Sequence, residues 1–328
     1  MNRKTVIVVW LVVLAFASPH LAEAQQAKKV PRVGFLGTAS PSAVSARVEA
    51  FRQGLRELGY VEGKSILIEY RWAEGKLDRM PDLAAELVRL KVDVIMTPGP
   101  AATRPAKEAT STIPIVMGFD NDPIGNGFVA SLARPGGNIT GLSSLAPEIS
   151  GKQLELLKEI VPRLSHVAVL GNSTTPGNAQ ALKEIELAAG ALKVQLQYLD
   201  VLATKDIETA FRAASEGRAD AVLALQNTVL LSQRRHVVEL AVKMHLPAIY
   251  YTIEYVEEGG FMTYSVNVTD LFRRAATYVD KILKGAKPAD LPVEQPTKFE
   301  LIINLKAAKQ IGLTIPPTVL FQADKVLK

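Results

Sequence analysis

One pattern runs through the chain twice, and that duplication limits the possible folds more than any other feature. Arg32-Val-Gly-Phe-Leu-Gly-Thr-Ala-Ser-Pro41 is echoed by His166-Val-Ala-Val-Leu-Gly-Asn-Ser-Thr-Thr-Pro176. Val-Asp-Val-Ile at 92–95 returns as Ala-Asp-Ala-Val at 219–222, and Ile-Pro-Ile-Val at 113–116 returns as Leu-Pro-Ala-Ile at 246–249. The echoes keep their order and lie 134, 127 and 133 residues apart, measured from Val33, Asp93 and Pro114. A fixed order at a nearly fixed offset implies two similar halves, each a folding unit.

Within each half, nearly continuous apolar runs ended by turn residues read as strands buried on both faces. Pro31 to Gly37, Ser65 to Tyr70, Asp93 to Thr97 and Ile113 to Phe119 fit this in the first half. His166 to Gly171, Val194 to Val201, Asp220 to Leu225 and Pro247 to Tyr251 fit it in the second. Between them the spacing predicts helices over Ser45–Leu58, Asp78–Leu90 and Ala102–Ala109, then Ala179–Leu192, Lys205–Ser215 and Ser232–His245. Strand and helix alternating at this spacing require right-handed crossovers, which gives an α/β chain of two Rossmann-like, doubly wound lobes. The length of 328 residues is enough for two such cores.

Open α/β sheets bind ligands in the crevice beyond the carboxyl ends of their strands, so two facing lobes offer one cleft. The loops at those ends carry Thr38-Ala39-Ser40, Pro98 to Thr103 and Asp120-Asn121-Asp122 in the first lobe. Those of the second carry Asn172 to Thr175, Gln226-Asn227-Thr228 and Tyr250-Tyr251-Thr252. Hydroxyls and free N–H groups at helix starts suit a carboxylate, Asp122 or Glu254 suits an ammonium, and Tyr250, Tyr251 or Phe119 suits an apolar part. The candidate ligand-binding residues are Thr38, Ser40, Ala101, Thr103, Asn172, Thr174, Asn227, Tyr251 and Asp122.

Other chemistries find little support. Zero cysteines remove thiol nucleophiles, redox pairs and thiolate zinc sites. Gly59 to Ser65 resembles a phosphate-binding loop with one residue too few between its glycines, and it enters a strand instead of leaving one. Gly125-Asn-Gly127-Phe-Val-Ala130 fits a loose dinucleotide fingerprint but lies past its strand and is stopped by Pro135-Gly136. None of His20, His166, His236 and His245 has a nucleophile or metal-ligand partner at a useful spacing, and Glu257-Glu258 sits in a turn before two glycines. No catalytic residue, metal or cofactor is expected. The excess of 38 Lys and Arg over 33 Asp and Glu has no dense basic run behind it, so nucleic acid is not an expected partner.

The N-terminus sets the compartment. Arg3 and Lys4, the apolar run Val6 to Ala17 and the small residues of Ala22-Glu23-Ala24 form a secretory signal, with cleavage expected after Ala24. The run is too short for a helix across a bilayer, which needs roughly 20 residues.

Asp122-Pro123-Ile-Gly125, the run Ser131-Leu-Ala-Arg134-Pro135-Gly136-Gly137-Asn138-Ile-Thr140-Gly141, Pro292-Val-Glu294, Asn304-Leu-Lys306-Ala-Ala308 and Ile315-Pro316-Pro317 resemble the ABC-transporter substrate-binding family that includes tryptophan- and aromatic-amino-acid-binding proteins of the type I periplasmic binding fold. The resemblance spans essentially the whole mature chain. It implies a periplasmic, monomeric receptor that closes on a small ligand and delivers it to an ABC permease in the inner membrane. It further implies three hinge segments, placed by position near Gly141–Pro147, Tyr264–Thr269 and Val293–Lys298. The lobes are then 30–143 with 267–294, and 144–266 with 295–328. No Cys is available for a lipid anchor. A periplasmic sensor that presents its ligand to a membrane receptor, and an exported α/β enzyme, are the alternative functions; a sugar-responsive transcription factor would need a helix-turn-helix where the export signal stands.

Overall fold

A computed structural model describes residues 29–328; the expected signal segment lies outside the described residues. The first sheet is built from β1 (Arg32–Gly37), β2 (Leu67–Trp72), β3 (Val94–Thr97), β4 (Ile115–Asp120) and β5 (Ile139–Ser143), with helices α1 (Ser45–Glu57), α2 (Met80–Arg89) and α3 (Pro100–Ala109) between the first four strands. Its order is β2-β1-β3-β4-β5, all parallel. Helix α4 (Ala146–Ile160) then leads into the second sheet. There β6 (His166–Gly171), α5 (Asn178–Leu192), β7 (Gln195–Asp200), α6 (Asp206–Glu216), β8 (Ala221–Ala224), α7 (Thr228–Ser232), α8 (Arg234–Lys243) and β9 (Ala248–Tyr250) follow one another.

The order β7-β6-β8-β9 in the second sheet mirrors β2-β1-β3-β4 in the first. The echoed residues do the same work in both. Asp93 Oδ2 accepts from the Arg32 N–H at 2.7 Å, and Asp220 Oδ2 accepts from the His166 N–H at 2.9 Å. Each carboxylate pins the start of the third strand of its lobe to the start of the first. Likewise the Pro114 carbonyl accepts from the Ile95 N–H and the Pro247 carbonyl from the Val222 N–H, both at 2.8 Å. A proline donates no N–H, so it suits the first residue before an inner strand.

Each sheet is buried on both faces. Val33, Phe35, Val94, Met96 and Val116 meet α1 and the later helix α10 (Val268–Leu283) on one face of the first sheet, while Leu36, Ile95, Ile115 and Met117 meet α2 and α3 on the other. Burial of apolar side chains on this scale supplies the main folding drive.

The second lobe extends beyond the repeat. After α9 (Glu254–Glu257) come β10 (Met262–Ser265), α10, β11 (Glu300–Asn304), α11 (Leu305–Gln310), α12 (Pro317–Gln322) and β12 (Lys325–Leu327). The full sheet order is β12-β11-β10-β9-β8-β6-β7, with β11 antiparallel to β10. The three strands β10–β12 were not foreseen from the repeat pattern, because they lie outside it. Helix α10 leaves β10 and packs on α1 and β4, so this long amphipathic segment belongs to the core of the first lobe. Residues 291–294 return along β5, where the Ser143 N–H donates to the Glu294 carbonyl at 2.8 Å.

Two further differences have local causes. Ile139–Ser143 is a strand that ends in the first crossing; its Gly141 adopts φ 136° with its Cα pressed against the Met117 backbone, where a Cβ would lie 2.2 Å from the carbonyl oxygen. The helix expected over Ser232–His245 is α8, Arg234–Lys243; what the sequence reading lacked is the separate short helix α7 before it, which Asn227 caps and Gln233 ends by leaving helical geometry (φ −110°, ψ 21°).

Candidate functional site

The carboxyl ends of the strands of both lobes meet in one cleft, and the lobes touch across it. The Asn121 amide donates to the Pro176 carbonyl at 2.8 Å, Arg234 donates to the Ala43 carbonyl at 3.2 Å, and the hydroxyls of Thr228 and Thr38 lie 3.4 Å apart. The cleft holds two small adjoining chambers, and Phe119, Gln226 and Tyr251 line both.

In the first chamber most of the polar side chains are already engaged, Gln226 and Tyr251 at the junction with the second apart. Gln153 donates to the Tyr264 carbonyl, Ser150 to the Ala146 carbonyl, Ser144 to the Asp120 carbonyl, and Asn178 to the Asn172 and Gln226 carbonyls. With Ile149, Ala181, Leu225, Val266 and Val268 completing the wall, this chamber suits an apolar group.

The second chamber is different. Gly37, Thr38, Trp72, Gly99, Ala101 and Thr228 line it together with the guanidinium of Arg47. Arg47 stands on α1 of the first lobe and is 3% exposed. Its Nε donates to Glu254 Oε1, from the second lobe, at 2.5 Å, and its Nη2 meets the Thr252 hydroxyl at 3.4 Å. Thr252 also donates to the other carboxylate oxygen of Glu254. Burial alone would push the Glu254 carboxyl up, but the Arg47 charge and these hydrogen bonds outweigh it and hold it down at about 2. The guanidinium lies 5.9 Å over the Phe119 ring. Burial also pushes the Tyr251 hydroxyl up to about 12, so it stays a neutral group beside the cleft.

Of the nine residues proposed from sequence, the structure brings Thr38, Ala101 and Tyr251 into the cleft wall. The polar groups of the others are used within their own loops. Thr103 is fully buried and donates to the Gly99 carbonyl while touching the Thr97 hydroxyl. Asn227 is fully buried: its Oδ1 caps α7 at the Val229 and Leu230 N–H groups, and its amide donates to the Gly171 and Val201 carbonyls. Asn172 Oδ1 accepts from the backbone and hydroxyl of Thr174, so these two close a turn on each other. Ser40 accepts from the Ala43 N–H and Asp122 from the Gly125 N–H. Capping and turn closure, common uses of such residues, account for all six.

The residues missed are Arg47, Trp72 and the helix-start side chains of α4 and α5. Gln226 and Asn121 lay in the loops the sequence pointed to, without being chosen, while Phe119, offered there as cover for an apolar part, lines both chambers. Arg47 gave no signal of its own, since it sits among Glu49, Arg52 and Arg56 on a helix that looks solvated. Among the described residues no group of three or more His, Asp or Glu side chains is placed to hold a metal ion.

A family model described as ABC transporter substrate binding protein matches residues 33–327. The chain belongs to that family. As a substrate-binding protein it has the two-lobed architecture of type I periplasmic binding proteins, as the resemblance in its motifs implied. A crystal structure of a conserved domain protein from Vibrio cholerae is 29% identical, with a TM-score of 0.86 over 91% of this chain and 100% of that one. The ABC domain from Streptococcus pneumonia in complex with L-Trp is 26% identical, with a TM-score of 0.84 over 90% of this chain and 99% of that one. A tyrosine-binding protein of Clostridioides difficile is 23% identical over 286 residues, 87% of this chain and 82% of that protein.

The family motifs now have physical roles. Asn138, at the end of the Arg134-Pro-Gly-Gly stretch, donates its amide to the Thr110 and Ile113 carbonyls and so holds the link between α3 and β4. Asn304 caps α11 at the Ala307 N–H. Both secure the substrate-binding scaffold and make no contact with the cleft, which is why such motifs mark the family without marking a ligand.

Proposed function

We propose that this substrate-binding protein is exported, cleaved after Ala24, and captures an amino-acid-like or aromatic carboxylate in the interlobe cleft for delivery to an ABC permease. The observation that carries this reading is the division of the cleft: a largely apolar chamber, most of whose polar groups are engaged, adjoins one with unengaged donors, with Phe119, Gln226 and Tyr251 between. A molecule with an aromatic or aliphatic body and an acidic end matches both. The L-Trp in the Streptococcus complex and the tyrosine-binding name of the Clostridioides relative support the same ligand class.

Residues 30–143 with 267–294 act as one lobe and 144–266 with 295–328 as the other, turning about the three crossings. A ligand shifts the equilibrium toward the closed form only by the extra contacts it gains there. The ligand leaves unaltered, so the reading requires no catalytic group, metal or cofactor, and the receptor works as a monomer. Among the described residues no helix is long and apolar enough to cross a membrane, so the permease partner would supply the route through it.

The test is a screen of residues 25–328 against the common L-amino acids and aromatic acids by thermal shift, with calorimetry on any hit. A compound binding at 100 times its Kd should add about 2.7 kcal/mol by linkage. Recovery of a chemically changed product, or a response to sugars alone, would overturn the proposal.

A further inference from the structure

We infer that the second chamber is the subsite for the ligand's carboxylate, held by the unengaged guanidinium N–H groups of Arg47 with the Thr38 hydroxyl and the Ala101 N–H, and that Glu254 is the residue that positions Arg47. The inference rests on the carboxylate ligand class proposed above and assigns an orientation and a specificity to the same cleft.

Two independent features point to it. A guanidinium has five N–H donors, and Arg47 commits one to Glu254 and one to Thr252, which leaves three. These three donate to no group among the described residues, although the side chain is almost entirely buried and lines the chamber. Beside it begins α3, a ten-residue helix with Pro100 in its first turn and no side-chain cap. Pro100 has no N–H and the Ala102 and Thr103 N–H groups return to the Gly99 carbonyl, but the Ala101 N–H donates to no group of the described chain. An uncapped helix start and a planar cation with free N–H edges both favour a planar anion.

Glu254 supplies the rest of the argument. It arrives from the opposite lobe, 207 residues away in sequence, and contacts Arg47 only when the lobes meet. The pair fixes one edge of the guanidinium and leaves the other free, so closure presents the free edge to the chamber. Its charge also balances Arg47, so an empty closed cleft does not bury an uncompensated cation. The first chamber then receives the apolar end of the ligand, past Phe119 and Tyr251.

The experiment measures Kd by calorimetry for three probes that differ at one end only: L-tyrosine, 3-(4-hydroxyphenyl)propanoate and tyramine. Wild-type protein should bind the two carboxylates and leave tyramine, which lacks the carboxylate, unbound. Arg47→Met should weaken both acids by about 10- to 100-fold, the size of a lost charge-assisted hydrogen bond set. Because Arg47→Met leaves Glu254 alone in the interior, the double variant R47M/E254L removes both charges and keeps the fold measurable; its melting curve without ligand should stay cooperative while the preference for acid over amine disappears. Glu254→Gln should reduce the acid-to-amine preference, a ratio that a purely structural role would leave fixed, and Glu254→Asp should restore part of it. Tyramine bound as well as L-tyrosine, or acids bound normally by the double variant, would overturn the subsite while leaving ligand capture intact. Failure of the wild type to bind either acid would overturn the ligand class itself, and the subsite with it.

Discussion

The loop after β3 and the loop after β8 hold equivalent places in the two lobes and have been put to opposite uses. After β8, Asn227 turns inward: it caps α7 with its carbonyl and ties two strand ends together with its amide, so every polar atom of the side chain has a partner. After β3, Pro98-Gly99-Pro100-Ala101 has no capping side chain, and the Ala101 N–H is left without an acceptor beside a buried arginine. The same fold element is therefore self-satisfied in one lobe and unfinished in the other. An unfinished helix start is a cost to folding that a ligand can offset.

If the comparison is right, removing Asn227 should do the most harm to stability and act least through the ligand. Asn227→Ala leaves two helix N–H groups and two carbonyls without their partner in a fully buried place, and a loss of about 3–4 kcal/mol is expected from denaturant midpoints. A loss under 1 kcal/mol, accompanied by failure to bind ligand, would reverse the assignment and put Asn227 in the cleft.

A second contrast concerns two buried carboxylates, and it sharpens the first. Glu254, in the second lobe, is held at about 2. Asp120, at the end of β4 in the first lobe, is fully buried; burial pushes it up to about 7 despite hydrogen bonds from Asn126 and from the Asp122 N–H, and its Oδ2 has no partner. The signs follow from linkage. Between about 4 and 7 the folded chain holds a proton on Asp120 that the unfolded chain has released, so stability falls as pH rises through this window. Glu254 acts the other way, with stability present above its ordinary value of 4.5 and lost as pH falls toward 2. Asp120→Asn should therefore raise stability at pH 8 by as much as about 4 kcal/mol, at roughly 1.4 kcal/mol per pH unit of slope removed, and change little at pH 4. Denaturant melts of both proteins at pH 4, 6 and 8 decide this, and equal midpoints at pH 8 would show that Asp120 titrates normally.

The strand-and-helix succession and the equivalence of Asp93 and Asp220 were readable from sequence, because apolar runs mark buried strands and the echoes keep their order; that both carboxylates pin a strand start came only from the structure. Periodicity also placed most of α1–α6 to within a few residues. What could not be read was direction. A Thr, Asn or Asp at a strand end offers the same hydrogen-bonding groups whether it faces a cleft or its own loop, and for Thr103, Asn172 and Asn227 the nearer backbone partners won. The Arg47–Glu254 contact was hidden for a different reason. It depends on two lobes meeting, and no spacing along the chain encodes a pair so far apart; Glu254 had been noted as a carboxylate suited to an ammonium, whereas here it holds an arginine.

The smallest expected effect tests whether the unfinished loop is held open by design of its neighbours. Thr103 lies one turn into α3, where its hydroxyl donates to the Gly99 carbonyl at 3.0 Å and lies 2.8 Å from the Thr97 hydroxyl. These bonds tie the first turn of α3 to the end of β3 next to Ala101, though Thr103 itself does not line the cleft. Thr103→Val keeps the shape and removes the hydroxyl, leaving Thr97 without its partner. The expected loss of stability is about 1 kcal/mol, near the value of one buried hydrogen bond. Because this tie loosens, affinity for carboxylate probes should fall by a few-fold while the preference of acid over amine is kept. A Thr103→Val protein that loses that preference entirely would place the hydroxyl in the subsite, and the contrast between the two loops would then have to be drawn at Thr103 instead of Ala101.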